Sequence, residues 1–274
     1  MKRILRMIGN MLVYLTIYMV MQFIVGFSIM IGILVKQTMQ GNNIQMSAEN
    51  LQKLLNQNTS PLIIIAIALS LIAYTLLFVL EKKNLFKECR FKLINFKQIA
   101  MVVILGIGLD MTINGVLSFV PVDEWFPSHE QVIESIMGGN SFVLTFLTVG
   151  ILVPMFEELL MRGLVFNELR RNINLKVAII LQALIFGIYH GNMLQFIYAS
   201  ILGLFLGLAY VWTDSLWAPI IIHILFNSSS MILSRLAVNV NIIVYILIGI
   251  ILFGTGLVIL YKLTHLNTSS DELY

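Results

Sequence analysis

Residues 177–213 read VAIILQALIFGIYHGNMLQFIYASILGLFLGLAYVWT and contain no Asp, Glu, Lys or Arg. A helix that crosses a bilayer needs about 20 mainly apolar residues, so this stretch is long enough for two crossings. The triplet His190-Gly191-Asn192 lies inside it and favours a break between two helices. Irregular backbone at membrane depth is tolerated only where it is buried in protein or lines a wet cavity. The stretch therefore predicts two membrane helices joined at a break that is a candidate for function.

The composition of the whole chain agrees with this interpretation. Of the 274 residues, 59% are hydrophobic and 11% are charged, whereas a typical soluble domain has about 45–50% apolar and about 25% charged residues. These figures exclude an ordinary soluble enzyme, a disordered protein and a nucleic-acid-binding protein. They indicate a polytopic membrane protein. The single cysteine, Cys89, excludes an internal disulfide and a cysteine-based metal site, and we interpret it as a lone thiol in a polar loop.

Six further apolar segments bring the number of predicted spans to about eight. We therefore predict an all-α protein, a polytopic helical bundle that forms a single integral membrane domain over residues 1–274. The first segment is too long for the apolar region of a signal peptide, and no small-residue cleavage site follows, so we expect an uncleaved span. The six segments are about Met11–Val35, Pro61–Leu80, Ile99–Val120, a run from Ser141 past Glu158, Ser215–Ser234 and Asn241–Tyr261.

The charges of the loops predict the orientation. Residues 81–97 contain six Lys or Arg residues and residues 162–176 contain four, whereas residues 121–140 contain none and carry four acidic residues. Cytoplasmic loops carry an excess of Lys and Arg. We therefore expect a multi-pass protein of the cell membrane, with both basic loops and both termini in the cytoplasm and the acidic loop outside. An even number of spans places both termini on the same side of the membrane, which agrees with this arrangement.

Four sets of polar residues lie within the predicted spans. Ionisable groups are costly there, so each set is a candidate for function. The sets are Glu157-Glu158 with Arg162, Phe186 with His190, His223 with Asn227, and Asp110 with Asn114. Asp110 and Asn114 could line the same cavity as the others or hydrogen-bond a neighbouring helix, and we favour the structural role.

The two adjacent carboxylates have different local partners. Glu158 and Arg162 are four residues apart with the acid first, which is the favourable order for an ion pair on a helix. Successive helical residues point in different directions, so Glu157 is left without a local cation. A carboxylate in an apolar setting suits a general base. The alternative is an ion pair at a helix end with Glu157 solvated.

The two histidines belong to pairs that each project from one helix face. Each could instead be a packed residue that hydrogen-bonds a neighbouring helix. Glu157 lies 16 residues before a turn near Ile173 and His190 lies 17 residues after it, which places both about 25 Å from that turn. His223 lies about 12 Å from a turn near Asp214 by the same rise. If the longer hairpin extends about 12 Å into the cytosol, the three groups meet at one depth.

Three of these motifs, in this order on successive hydrophobic helices, resemble the CAAX protease and bacteriocin-processing family of intramembrane proteases, also called CPBP or Abi. The pattern is Glu-Glu-x-x-x-Arg, then Phe-x-x-x-His, then His-x-x-x-Asn. The resemblance covers about residues 141–234, which it implies form the catalytic helical core. The N-terminal half resembles only generic membrane helices. The matching residues are Glu157, Glu158, Arg162, Phe186, His190, His223 and Asn227.

The resemblance implies a peptidase whose substrate is a membrane-associated peptide or protein within the lipid bilayer. Family members resemble prenyl-protein endopeptidases or are linked to peptide processing and bacteriocin immunity. By resemblance, Glu157 and His190 activate a water, while His223 and Asn227 donate hydrogen bonds to the developing oxyanion. The supporting residues are then Glu158, Arg162 and Phe186.

Two mechanisms fit these residues. In one, Glu157, His190 and His223 bind zinc, and the family is often described as metallopeptidases for this reason. In the other, no cofactor is needed and Glu157 is the base. We favour the metal-free mechanism, because Asn227 is a poor zinc ligand but a good oxyanion donor. Two functions remain as alternatives: a non-enzymatic bacteriocin-immunity or scaffold protein, and a transporter in which Glu and His form a proton relay.

Overall fold

The computed structural model describes residues 2–39, 53–54, 56–137, 141–236 and 241–265, and in these residues every regular element is helical. Helix α7 contains two π-helical stretches. The helices are α1 (Lys2–Met39), α2 (Thr59–Leu80), α3 (Leu85–Glu88), α4 (Phe96–Leu117), α5 (Val122–Trp125), α6 (Pro127–Met137), α7 (Phe142–Asn172), α8 (Leu175–Tyr189), α9 (Met193–Thr213), α10 (Trp217–Leu236) and α11 (Ile242–His265).

Within the described ranges, six helices are long and apolar enough to cross a membrane, namely α1, α2, α4, α7, α9 and α11. Two shorter apolar helices, α8 and α10, complete the bundle. These eight helices coincide with the eight apolar segments predicted from the sequence. The prediction of an all-α polytopic membrane protein is confirmed. The division into one membrane domain with a catalytic core at residues 141–234 stays a prediction.

The predicted break between α8 and α9 is present and has a local cause. His190 caps the end of α8, and Gly191 follows with a φ of +72°. A residue with a side chain rarely adopts this left-handed conformation, so the turn requires glycine. Asn192 then caps α9, because its side chain accepts a hydrogen bond of 3.0 Å from the backbone N–H of Gln195. The break therefore fixes the position of His190 at the end of α8.

Helix α7 is not a uniform α-helix. Residues Phe146–Leu152 and Leu159–Phe166 are π-helical, and the α-helical segment Val153–Glu158 lies between them. π-Helical turns are rare in proteins, but those that occur are often found at functional sites. No pattern in the sequence predicted them. They flank the Glu157-Glu158 pair on both sides and so change how this pair is presented relative to a regular helix.

The loops that are rich in Lys and Arg meet at one end of the bundle. The side chain of Asn167 donates a hydrogen bond of 3.0 Å to the carbonyl of Glu88, and the backbone N–H of Leu216 donates one of 2.9 Å to the carbonyl of Arg90. Asp214, at the turn between α9 and α10, forms an ion pair with Arg90. The α2–α4 loop, the end of α7 and the α9–α10 turn therefore share one side, as the charge pattern predicted.

The environment of Cys89 corrects one expectation. The residue follows α3, but its side chain is fully buried and not in polar surroundings. A Cβ atom on Gly163 would come within 2.7 Å of the Cys89 sulfur, so the missing side chain at that position makes room for the thiol. Burial raises the pKa of the Cys89 thiol to about 12. A thiol that stays protonated is unreactive, which agrees with a packing role.

Candidate active site

A buried ion pair supports the candidate site. Nη1 of Arg162 lies 2.7 Å from Oε1 of Glu158, and neither side chain has any solvent exposure. This is the pair expected from the four-residue spacing. The same carboxylate oxygen accepts a second hydrogen bond of 2.8 Å from Nδ1 of His223 on α10. Because a buried charge is costly unless it is paired and hydrogen-bonded, these contacts hold α7 and α10 in one relative position.

Arg162 is fixed on two further sides. Its Nη2 donates a hydrogen bond of 3.2 Å to the carbonyl of Gly203 on α9, and its guanidinium carbon lies 4.3 Å from the centre of the Phe186 ring. The side chain of Gln182 donates to the same Gly203 carbonyl at 2.8 Å. Sequence reasoning missed Gln182 and Gly203. The available signal for Gln182 was that it is a polar residue within the uncharged stretch at 177–213.

His223 lies between the two adjacent carboxylates. Its Nε2 is 3.7 Å from Oε2 of Glu157, while its Nδ1 contacts Glu158. Sequence reasoning left Glu157 without a cationic partner, but it considered only neighbours on the same helix. The carboxylate of Glu158, paired with Arg162, can only accept hydrogen bonds, so Nδ1 of His223 carries a hydrogen. The other ring nitrogen therefore faces Glu157.

Phe186 brings the second histidine to the same place. Its ring lies edge-to-face against both imidazoles, with centroid distances of 4.8 Å to His190 and 5.6 Å to His223. The two histidines therefore lie against one ring, and the common depth of Glu157, His190 and His223 in the membrane stays a prediction. Nδ1 of His190 lies 2.7 Å from the carbonyl oxygen of Phe186. A carbonyl can only accept, so this nitrogen carries the hydrogen and Nε2 keeps the lone pair that a base needs.

Asn227 lies one helical turn beyond His223 and is held by α7. Its Nδ2 donates a hydrogen bond of 3.2 Å to the carbonyl of Val149, in the first π-helical stretch. Ser228 donates to the next carbonyl, that of Gly150, at 3.0 Å. An amide nitrogen has two hydrogens, so one remains for another acceptor. The site is therefore assembled where α10 crosses a π-helical part of α7.

The N-terminal half of the chain supplies an aromatic wall beside Glu157. The ring of Tyr18 on α1 lies 4.5 Å from the ring of Phe156, the residue that precedes Glu157. Tyr74 on α2 lies 6.3 Å from the same ring, and Tyr18 also stacks against Tyr189 at 6.3 Å. Sequence reasoning missed these tyrosines, because isolated aromatic residues are common in membrane spans. They form an aromatic cluster around Phe156, next to Glu157 in the sequence.

Asp110 is placed away from these groups by its own hydrogen bonds. Its Oδ1 accepts from Asn114 and from Ser230 on α10, each at 2.6 Å, and the side chain is fully buried. This is the helix–helix hydrogen bonding that we favoured from the sequence. Ser230 lies seven residues after His223, two turns along the same helix face. The Asp110 network therefore helps to fix the rotation of α10.

The positions of the His, Cys, Asp and Glu side chains bear on the zinc alternative. Among the residues that the structure describes, no group of three or more His, Cys, Asp or Glu side chains is arranged to hold a metal ion. Two of the three residues in question, Glu157 and His223, lie 3.7 Å apart between Oε2 and Nε2. A catalytic zinc takes three protein ligands. In the described residues, Glu157, His190 and His223, which the sequence offered only as the alternative to a metal-free site, are not arranged as a zinc ligand set.

Part of the chain is similar to a known protein family. The model of the type II CAAX prenyl endopeptidase Rce1-like family matches residues 139–229, the segment from the start of α7 to the middle of α10. This segment, about a third of the chain, is similar to that family. The resemblance seen in the three motifs is confirmed, and every residue singled out from them lies within the matched range.

The chain is also similar to parts of two bacterial proteins. The uncharacterized protein YpbD of Bacillus subtilis is 29% identical over 130 residues, which are 46% of this chain and 66% of YpbD. The membrane-embedded CAAX protease MroQ of Staphylococcus aureus is 38% identical over 86 residues, which are 29% of this chain and 34% of MroQ. Each match therefore covers less than two thirds of the relative's own length. No solved structure gives a significant match.

Proposed function

We propose that the protein is an intramembrane endopeptidase that hydrolyses a peptide bond of a membrane-associated protein or peptide. The observation that carries the proposal is the position of Glu157. Its carboxylate lies 3.7 Å from Nε2 of His223, while Oε1 of the neighbouring Glu158 contacts both Arg162 and His223. One carboxylate therefore holds the site together and the other is available to accept a proton.

In the proposed reaction, Glu157 takes a proton from a water as the water oxygen attacks the peptide carbonyl carbon. In this proposal, Nε2 of His190 is a second acceptor for the same water. The carbonyl oxygen becomes negative, and the remaining amide hydrogen of Asn227 donates to it. His223 can donate from Nε2 as well when that nitrogen carries a hydrogen. The intermediate collapses as the C–N bond breaks, and Glu157 returns its proton to the departing amine.

The aromatic residues around the site support this assignment. Phe186 packs against both imidazoles, and Tyr18 packs against Phe156, the residue before Glu157. Electrostatic interactions are stronger where water is excluded, so an oxyanion gains more from a fixed donor in a buried site than in water. We further propose that the basic end of the bundle and both termini are cytoplasmic, in the cell membrane.

The metal-free mechanism makes a direct prediction. Cleavage by the purified protein in detergent is expected to be unchanged after dialysis against a chelator, since the acid–base groups belong to the chain. The rate of substrate cleavage before and after dialysis measures this. Loss of cleavage that added zinc restores would instead favour the zinc mechanism, with Glu157, His190 and His223 as ligands.

The alternatives to a peptidase are separated by one comparison. Membrane and secreted peptides are identified by mass spectrometry in cells with the natural protein and in cells with Glu157→Ala. We expect some peptides to depend on Glu157, and their termini identify the substrate and the cleaved bond. A non-enzymatic immunity or scaffold protein would act equally well in both cells. A transporter would show ion-coupled flux in liposomes and no change in peptides.

A further inference from the structure

A cavity lies at the end of the bundle where α1 begins, away from the candidate active site. It has a volume of about 410 Å³. Glu168 of α7 contributes to its wall and lies ten residues after Glu158, which corresponds to about 15 Å along the helix. The lining residues are Lys2, Arg3, Arg6, Met7, Glu168 and Asn172.

One of the three cations in the wall has a structural role. Nε of Arg3 donates a hydrogen bond of 2.8 Å to the side chain of Asn172, and Nη2 donates to the carbonyl of Arg171. These contacts attach the start of α1 to the end of α7. Arg171 itself is paired with Glu88 at 2.5 Å. The cation that shapes the cavity is therefore Arg3, and the cations left to bind a ligand are Lys2 and Arg6.

Lys2 and Arg6 are suitably placed for an anion. They are four residues apart on α1, so their side chains share a helix face, and both are exposed. The buried Met7 adds an apolar surface. The one carboxylate in the wall is Glu168, so the wall carries three positive charges and one negative charge. The wall keeps a positive excess even with Glu168 ionised.

The apolar side chains beside the cavity identify the kind of anion. Ile4, Leu5 and Ile8 lie on the same turns of α1 and are 40%, 62% and 44% exposed. Helix α1 is long and apolar enough to cross a membrane. A cation cluster next to exposed apolar surface fits a ligand with a charged head and hydrocarbon chains. Basic pockets between membrane helices bind lipid headgroups in this way.

We propose that this cavity binds the phosphodiester headgroup of an anionic phospholipid. The phosphate lies between Lys2 and Arg6, and the acyl chains lie along the exposed face of α1. Because Arg3 attaches α1 to the end of α7, the bound lipid also holds the helix that carries Glu157 and Glu158. The site is independent of the proposed protease chemistry.

The test uses the purified full-length protein in a neutral detergent, titrated with phosphatidylglycerol and separately with phosphatidylcholine, and bound lipid is counted by native mass spectrometry. Phosphatidylglycerol is expected to bind more tightly. Lys2→Gln and Arg6→Gln are each expected to weaken its binding about fivefold, the effect of one Lys or Arg near an anionic lipid. Glu168→Gln is expected to strengthen it, a gain that misfolding cannot produce.

Two controls decide the outcome. Lys97→Gln removes an exposed positive charge at the same end of the bundle, outside the cavity, and is expected to leave binding unchanged. Inorganic phosphate and glycerol 3-phosphate are added as competitors, and millimolar amounts are expected to displace little lipid. Equal weakening by Lys97→Gln and Lys2→Gln, or a loss on Glu168→Gln, would overturn the proposal. Full displacement by inorganic phosphate would assign the cavity to a soluble anion instead.

Discussion

Replacing Glu157 with glutamine is expected to lower the rate of peptide-bond cleavage by about 10²–10⁴-fold, the usual contribution of a general base. The amide keeps the size of the carboxylate but cannot accept a proton. The fold should be retained, because Glu157 is 12% exposed and its distance of 3.7 Å to His223 is longer than a hydrogen bond. The measurement is the cleavage rate of a substrate found by the peptide comparison, together with the thermal unfolding temperature of the purified variant.

Asp110→Asn is the matched control for this experiment. It also converts a buried membrane carboxylate to an amide, and the new side chain can still accept the hydrogen bond from Ser230. We expect this variant to keep most of its activity. Near-normal cleavage by Glu157→Gln would exclude Glu157 as the base. Similar losses in both variants would show that charge removal harms the bundle and not the chemistry.

The parts of the structure that depend on local sequence were predictable. Eight helices follow from eight apolar segments, because each crossing needs about 20 apolar residues. The break at Gly191 follows from its neighbours, and the pair of Glu158 with Arg162 follows from helical spacing. In a chain with few charges, the charged residues inside the spans are also easy to recognise. Local rules therefore located both the fold and most of the candidate site.

Features that depend on packing between distant segments were not predictable. His223 contacts both Glu157 and Glu158 because α10 crosses α7 at that level, and no spacing rule within α7 shows this. The support of Arg162 by Gly203 is of the same kind, since the two residues are 41 positions apart. The π-helical stretches lack a sequence signal altogether. Sequence reasoning therefore named the groups but not the contacts that orient them.

These contacts also determine which substitutions are informative. Removing either Glu158 or Arg162 leaves the other charge buried and unpaired, which typically costs about 3–5 kcal/mol. A loss of activity in such a variant would report on folding as much as on catalysis. Residues outside the ion pair are better probes. Asn227 is one of these, because within the described residues the only hydrogen bond of its side chain is to the carbonyl of Val149.

Asn227→Ala is expected to lower the turnover number by about 10²–10³-fold, as removal of one oxyanion donor does in other hydrolases. The same change removes the bond to Val149, which should lower the free energy of unfolding by only about 1 kcal/mol. The substitution therefore separates catalysis from stability. Cleavage is measured over a range of substrate concentrations. The oxyanion develops only in the transition state, so the loss of its donor should reduce kcat with little change in KM.

Ser228→Ala provides the comparison that isolates this effect. Ser228 is the next residue on α10, and its hydroxyl donates to the carbonyl of Gly150 just as Asn227 donates to that of Val149. Both variants thus lose one bond between α10 and the π-helical part of α7, but only Asn227→Ala loses an amide that can reach the oxyanion. A much larger fall in kcat for Asn227→Ala, at similar unfolding temperatures, supports the donor role. Equal falls in kcat would mean that the contact between α7 and α10, and not the amide, is what the reaction requires.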